Sequence, residues 1–392
     1  MDLPDLADST RARLVRWLFT PLAGVPFDDW AEVLARRGHR IAPRYWPRAA
    51  FTTAMSLLNS AFARRERRYD RAVDAQRVEA PVFILGHHRS GTTHLWNLLA
   101  TDERFSTPTV LQSVFPRTFL SFESVVQSWA ERFSPSERPQ DNMSFSPNGP
   151  MEDERALCAM TFLSLQMARH FPQDRDQFQK YLTMRDATTA ERAAWKRAYD
   201  RFTRKLSFRH GPNATLLLKG THHAARIPLL LDLYPNARFV HIHRDPYRVF
   251  QSTVRMEEDT MPLYAYQPVP DRPALEEFVL WRYRTLYDAF FEDRDLIPEG
   301  QFTEIRFETL VDDRVGTIER VYDDLGLFGF ESTRPALERY VASIADYETN
   351  TYPDLPEDTR RRVAEAWRPC FQKWNYPAEP AAARSNGRPT QA

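Results

Sequence analysis

Gly86-His87-His88-Arg89-Ser90-Gly91-Thr92-Thr93 has the glycine spacing of a phosphate-holding loop, G-x-x-x-x-G-K-[ST], with Thr92 where the lysine would stand. Glycines permit the tight turn, while successive backbone N–H groups and a helix N-terminus cradle an anion; Arg89 can supply the missing lysine's charge. A nucleotide anion suits such a loop. Mg-ATP hydrolysis suits it less, because no clear strand ending in aspartate follows to hold the metal. A second element, Arg244-Asp245-Pro246-Tyr247-Arg248-Val249-Phe250-Gln251-Ser252, puts an arginine after an apolar run and a hydroxyl about two helical turns further on. Asp245 suits an N-cap and Pro246 a first helical turn, so Arg244 and Ser252 can hold one anion between them.

Both elements need a strand before them and a helix after them. The run Pro81–Gly86 precedes the helix-like Thr93–Ala100, Thr215–Gly220 precedes a helical stretch ending near Tyr234, and Arg238–His243 precedes another from Pro246 to about Met256. A fourth strand, Phe302–Phe307, leads into Glu308–Leu310 and a helix to about Leu325. Repeated strand–helix units predict an α/β, P-loop-like three-layer fold: a central parallel sheet flanked by helices, with ligands outside the carboxyl ends of the strands. Apolar residues at helical spacing, such as Leu14 with Leu18 and Met55 with Leu58 and Phe62, predict a helical N-terminal region over 1–78. The α/β domain is expected over 79–376, with a helical insertion at about 110–210 that shapes a cavity or lid, and a disordered tail over 377–392.

The 392 residues carry 53 basic and 53 acidic side chains, so no bulk attraction to nucleic acid or to an anionic membrane is expected. Cys158 and Cys370 are the two cysteines, far apart, which argues against a disulfide framework or a cysteine-ligated zinc. The acidic start and the lack of a long apolar run point to a cytoplasmic protein that is not exported. Lysine is rare, with five in the chain, so Lys219 at the end of a strand stands out. His241 and His243 share a strand face, but no ligand partner set accompanies them, and no metal is expected.

Together the two anion elements resemble the sulfotransferase superfamily that uses 3'-phosphoadenylyl sulfate (PAPS). Arg89-Ser90-Gly91-Thr92-Thr93 resembles its 5'-phosphosulfate loop in an Arg variant, and Arg244 with Ser252 is similar to its 3'-phosphate pair. The resemblance runs from about 80 to 330 and includes Leu216–His223, Tyr234–Phe239 and Phe307–Leu310 before Leu325–Leu327. Gln112, Pro116 and Phe119, with Glu152-Asp153-Glu154 before Ala156 and Leu157, look like a bacterial branch whose acceptors include hydroxylated lipids. The C-terminal RKGxxGDWK segment that closes the nucleotide site of cytosolic members is not reproduced around Phe371–Tyr376.

The resemblance implies transfer of a sulfuryl group from PAPS, without a metal, to a hydroxyl of an apolar small molecule or lipid. Arg89, Ser90, Gly91, Thr92 and Thr93 would hold the 5'-phosphosulfate and Lys219 the bridging oxygen. For the base, His223 is mildly favoured by the resemblance, with His222 beside it; Glu152 or Glu154 compete, since several members use a glutamate. Phe115, Phe119, Phe122 and Trp129 either line the acceptor pocket or are core. An apolar acceptor suggests transient access from a membrane surface. The rival activities are a P-loop kinase-like phosphotransferase using Mg-ATP and a nucleotide-binding module without chemistry.

Overall fold

Val82–Leu85 (β1) is four apolar residues with no polar alternation, and all four are buried, as a strand covered by helices on both faces requires. The computed structural model describes residues 17, 20–123, 137–138, 141–144, 149–211, 214–345 and 353–378. Among these the further strands are β2 (Phe105–Ser106), β3 (Glu137–Arg138), β4 (Asp141–Ser144), β5 (Thr215–Lys219), β6 (Arg238–His243) and β7 (Phe302–Arg306). The central sheet is parallel, in the order β2-β5-β1-β6-β7. Register sets Ile84 beside Lys219 and Leu85 beside His241, so the ends of β5, β1 and β6 come out together. The two anion elements and Lys219 leave the sheet at that common edge.

Period-2 alternation separates the layers. Phe83, Leu85, Leu216, Leu218 and Phe239 face a core shared with Trp195 and Tyr199 of helix α5 (Thr189–His210) and Leu286 and Phe290 of α8 (Arg272–Asp293). Val82, Ile84, Leu217, Val240 and Ile242 face the opposite layer, with Leu95 and Leu98 of α3 (Thr92–Leu99). Thr188 and Glu191 begin α5 with a reciprocal capping box, worth about 1 kcal/mol.

The N-terminal helices α1 (Phe27–Arg37) and α2 (Trp46–Glu66) belong to the first core, where Trp30 lies 5.6 Å from the ring of Tyr266. Arg48 on α2 is buried, and its guanidinium donates to the carbonyls of Trp17, Pro262 and Ala265. The remaining helices named below are α4 (Asp153–Thr161), α6 (Ile227–Leu233) and α7 (Pro246–Tyr264).

Three details differ from the sequence reading. The sheet has a fifth strand, β2, whose two residues are too short for any periodicity to register. The insertion contains the antiparallel pair β3–β4 as well as helices. Helix α7 runs to Tyr264, two turns past Met256, because Glu257 within the acidic stretch turns inward to buried partners.

Gly91 precedes α3 with φ +100°, and a Cβ there would stand 2.2 Å from the Phe307 ring. Gly91→Ala is therefore expected to lower stability by about 3 kcal/mol, through strain and overpacking together. A urea titration checks this: the midpoint should fall with an unchanged slope.

Candidate active site

The loop after β1 is closed from within. The Ser90 hydroxyl donates to the His87 carbonyl at 2.8 Å, and at Gly86 a Cβ would come within 2.8 Å of the Ile242 carbonyl oxygen. Arg89 is held left-handed at φ +68°, a conformation that costs a residue with a side chain about 1–3 kcal/mol and persists where surrounding contacts over-determine it. Its Nε donates to Ser252 Oγ at 2.7 Å, and Arg244 reaches the Arg89 carbonyl at 3.5 Å with its guanidinium over the Phe307 ring. The fold thus brings together Arg89, Arg244 and Ser252, with Ser90, Gly91 and Thr92 in the same turn.

A buried relay supports this loop from below. Tyr287 on α8 accepts the His87 backbone N–H at 3.2 Å, and Arg282 Nε donates to His87 Nε2 at 3.3 Å. His87 Nδ1 faces the His88 carbonyl at 2.9 Å and must be the protonated nitrogen, since Nε2 receives a donor. Burial, then the nearby Arg282 charge, pushes the His87 imidazole well down, so it is neutral at physiological pH. Glu257 sits between Arg282 Nη1 at 2.6 Å and Arg169 Nη2 at 2.8 Å. Burial alone would raise its carboxyl, but Arg169 and Arg282 hold it down at about 2.

Three adjacent carboxylates at the start of α4 have separate environments. Glu154 is fully buried and holds Arg226 at 2.6 Å, Ser164 Oγ at 2.5 Å and His222 Nδ1 at 3.0 Å. Asp153 is fully buried and takes the Tyr199 hydroxyl at 2.6 Å and His223 Nε2 at 2.9 Å. Glu152 alone of the three opens to solvent, with its side chain 17% exposed, and it lies 3.0 Å from Lys219 Nζ. Lys219 also donates to Thr93 Oγ1 at 3.0 Å, so ammonium and carboxylate meet at the loop's edge. Burial acts to raise the Glu152 carboxyl, but Lys219 and Arg155 outweigh it and hold the group below its ordinary value.

His223 is buried within the Asp153–Tyr199 cluster, and His222 is turned to Glu154. His241 pairs with Glu304 at 2.9 Å, and His243 stacks on Trp374 at 4.7 Å with parallel rings. The Tyr376 hydroxyl lies 3.2 Å from His243 Nδ1 and donates to Glu308 at 2.7 Å, which seats the chain's Trp374–Tyr376 stretch against the end of β6. Phe115 and Phe122 form a cluster with Phe62, and Phe119 packs on Phe202. Trp129 lies outside the described residues. Both cysteines are buried and burial pushes both thiols up, so neither is a nucleophile.

Arg169, Glu257, Arg282 and Tyr287 were not singled out in the sequence, and Phe371–Tyr376 was noted there as lacking the closing segment of cytosolic members. A signal existed for Arg282: it stands among Leu275, Phe278, Val279 and Leu286 on the buried face of α8, where a lone arginine implies a buried partner.

A family model described as sulfotransferase family matches residues 81–331. The chain belongs to the sulfotransferase family. Over 385 residues, covering 95% of this chain and 97% of the relatives' length, the sulfotransferase is 34% identical to the omega-hydroxy-beta-dihydromenaquinone-9 sulfotransferases of Mycobacterium bovis and Mycobacterium tuberculosis. Its fold matches a sulfotransferase from Mycobacterium avium with TM-score 0.70 at 18% identity, over 95% of this chain and 98% of that one. A second, from Mycobacterium tuberculosis, matches with TM-score 0.62 at 17% identity, over 93% and 100%.

Because folding lowers the Glu257 pKa from an ordinary 4.5 to about 2, its stabilisation is present above about pH 4.5 and is lost as the pH falls towards 2. Glu257→Gln, which leaves two buried guanidiniums uncompensated, is expected to cost about 3–5 kcal/mol at pH 7. Its stability should also vary less steeply than wild type between those two pH values, as measured by denaturant titrations across the range.

Proposed function

We propose that this sulfotransferase moves a sulfuryl group from PAPS to a hydroxyl of an apolar small-molecule or lipid acceptor, leaving a sulfate ester and 3',5'-adenosine bisphosphate. The observation that carries the reading is the arrangement around one loop: Arg89, Arg244 and Ser252 on one flank, Lys219 with Glu152 on the other. The first flank offers two guanidiniums and a hydroxyl, which fits a phosphate. The second offers an acid–base pair beside the loop's threonines, which fits the reacting centre.

PAPS supplies a sulfuryl group attached to a phosphate leaving group. Arg89, the loop N–H groups, Thr92 and Thr93 neutralise charge that grows on that phosphate, and Lys219 donates to the bridging oxygen. As the acceptor oxygen bonds to sulfur and the old S–O bond breaks, Glu152 takes the hydroxyl proton. Glu152 is favoured over His223 because it is ionised and partly open to solvent, whereas His223 and Glu154 are fully buried among fixed partners. His223 then acts as a positioning residue, holding Asp153 and the turn that presents Glu152. An apolar acceptor is supported by the relatives at 34% identity, whose substrate is an omega-hydroxylated dihydromenaquinone.

A thermal shift series tests the nucleotide: 3',5'-adenosine bisphosphate at about 100 times its Kd should stabilise the protein by about 2.7 kcal/mol, and ATP with Mg²⁺ should not. Arg89→Ala should lose that shift. The base is tested separately. Glu152→Gln should lower kcat by about 100-fold to 10,000-fold while keeping the bisphosphate shift. Full turnover in that variant would exclude Glu152 as the base.

A further inference from the structure

Helix α2 buries polar side chains on one side and exposes three large apolar ones on another, with Phe51, Met55 and Phe62 half-buried between the two. Arg48, Thr52, Ser56, Asn59 and Glu66 are its buried residues. They are held from within: Thr52 meets the Tyr266 hydroxyl at 2.7 Å, Asn59 donates to the Ala23 carbonyl at 2.7 Å, and Glu66 accepts the Ser121 N–H at 2.8 Å and pairs with Lys205 at 2.7 Å. The opposite face presents Trp46, Leu57 and Leu58, which are 62%, 53% and 48% exposed. Ala50, Ala54 and Ala61, also exposed, fill the positions between them. These residues recur at three and four positions, one continuous stripe about 24 Å long.

Arginines stand at both ends of the stripe: Arg44 before it, and Arg64, Arg65 and Arg68 after it, all exposed and none in an ion pair among the described residues. An apolar face with a basic border and an edge tryptophan is the pattern of a helix lying in a membrane interface. A second copy of the chain fits poorly, since pairing the stripe with itself would bring arginine ends together in either orientation. The formal net charge of zero conceals the feature, because attraction to a charged surface acts over about 8–10 Å and is set by the side chains within that distance.

We propose that the outward face of α2 docks the protein on an anionic bilayer, with the helix parallel to the surface. Phe62 of the same helix packs on Phe122 at 4.8 Å, and Phe122 packs on Phe115 at 4.5 Å, so the docked face continues inward as an aromatic cluster. The surface is independent of the acceptor assignment, because vesicle binding is read without turnover.

The test is co-sedimentation of the full chain with vesicles of phosphatidylcholine containing phosphatidylglycerol, against phosphatidylcholine alone, at low and high salt. Wild type is expected to pellet with the anionic vesicles and to be released by salt. L57E/L58E and R64E/R65E should each weaken partitioning about tenfold or more. Unchanged melting temperatures and an unchanged bisphosphate shift establish that the variants are folded. Failure of wild type to pellet, or equal pelleting of wild type and both variants, overturns the proposal. So does a wild-type dimer in solution that L57E/L58E converts to monomer, which assigns the face to a second copy.

Discussion

One carboxylate buried between two guanidiniums supports the loop after β1. Glu257 neutralises Arg169 and Arg282, and Arg282 in turn fixes the tautomer of His87 in the loop itself. A buried ionic group is a poor source of net stability, since desolvation offsets most of the attraction. Its value here is geometric. The His87 end of the loop is tied to a rigid helix by two hydrogen bonds, and Arg89 can then be held in a backbone conformation it would otherwise leave.

The same economy of position explains the acidic run at the start of α4. Three consecutive carboxylates face three directions because Glu152 is the extended N-cap residue, while Asp153 and Glu154 lie in the first helical turn, rotated by about 100° from one another. Two of those directions lead into the protein, where Arg226 and Tyr199 wait, and one leads to Lys219. Three carboxylates in sequence become two buried anchors and one group partly open to solvent beside Lys219.

Much of this was legible in advance where a local rule applied. The apolar run Val82–Leu85, the glycine spacing that follows it and the Asp245–Pro246 helix start are short-range signals, and they located the strand ends and the loop after β1. The eight-residue separation of Arg244 and Ser252 paired one element, but nothing local showed that Ser252 would meet Arg89 across 163 positions. The sequence mildly favoured His223 over Glu152 as the base, because burial, which sets the two apart, is a property of the packed chain. The outward position of Leu58 was illegible for a related reason: it shares helical periodicity with the half-buried Met55 and Phe62, and periodicity does not say which side faces the core.

Arg48 makes a demand on the order of assembly. Its three carbonyl partners include Pro262 and Ala265, more than 200 positions later in the chain. Synthesis at roughly 5–20 residues per second leaves roughly 10–40 s between the appearance of the arginine and that of its partners. Contacts of such long separation form late and slow folding. Until then Arg48 stays hydrated, and α2 completes its docking only after the Pro262–Ala265 stretch has been made.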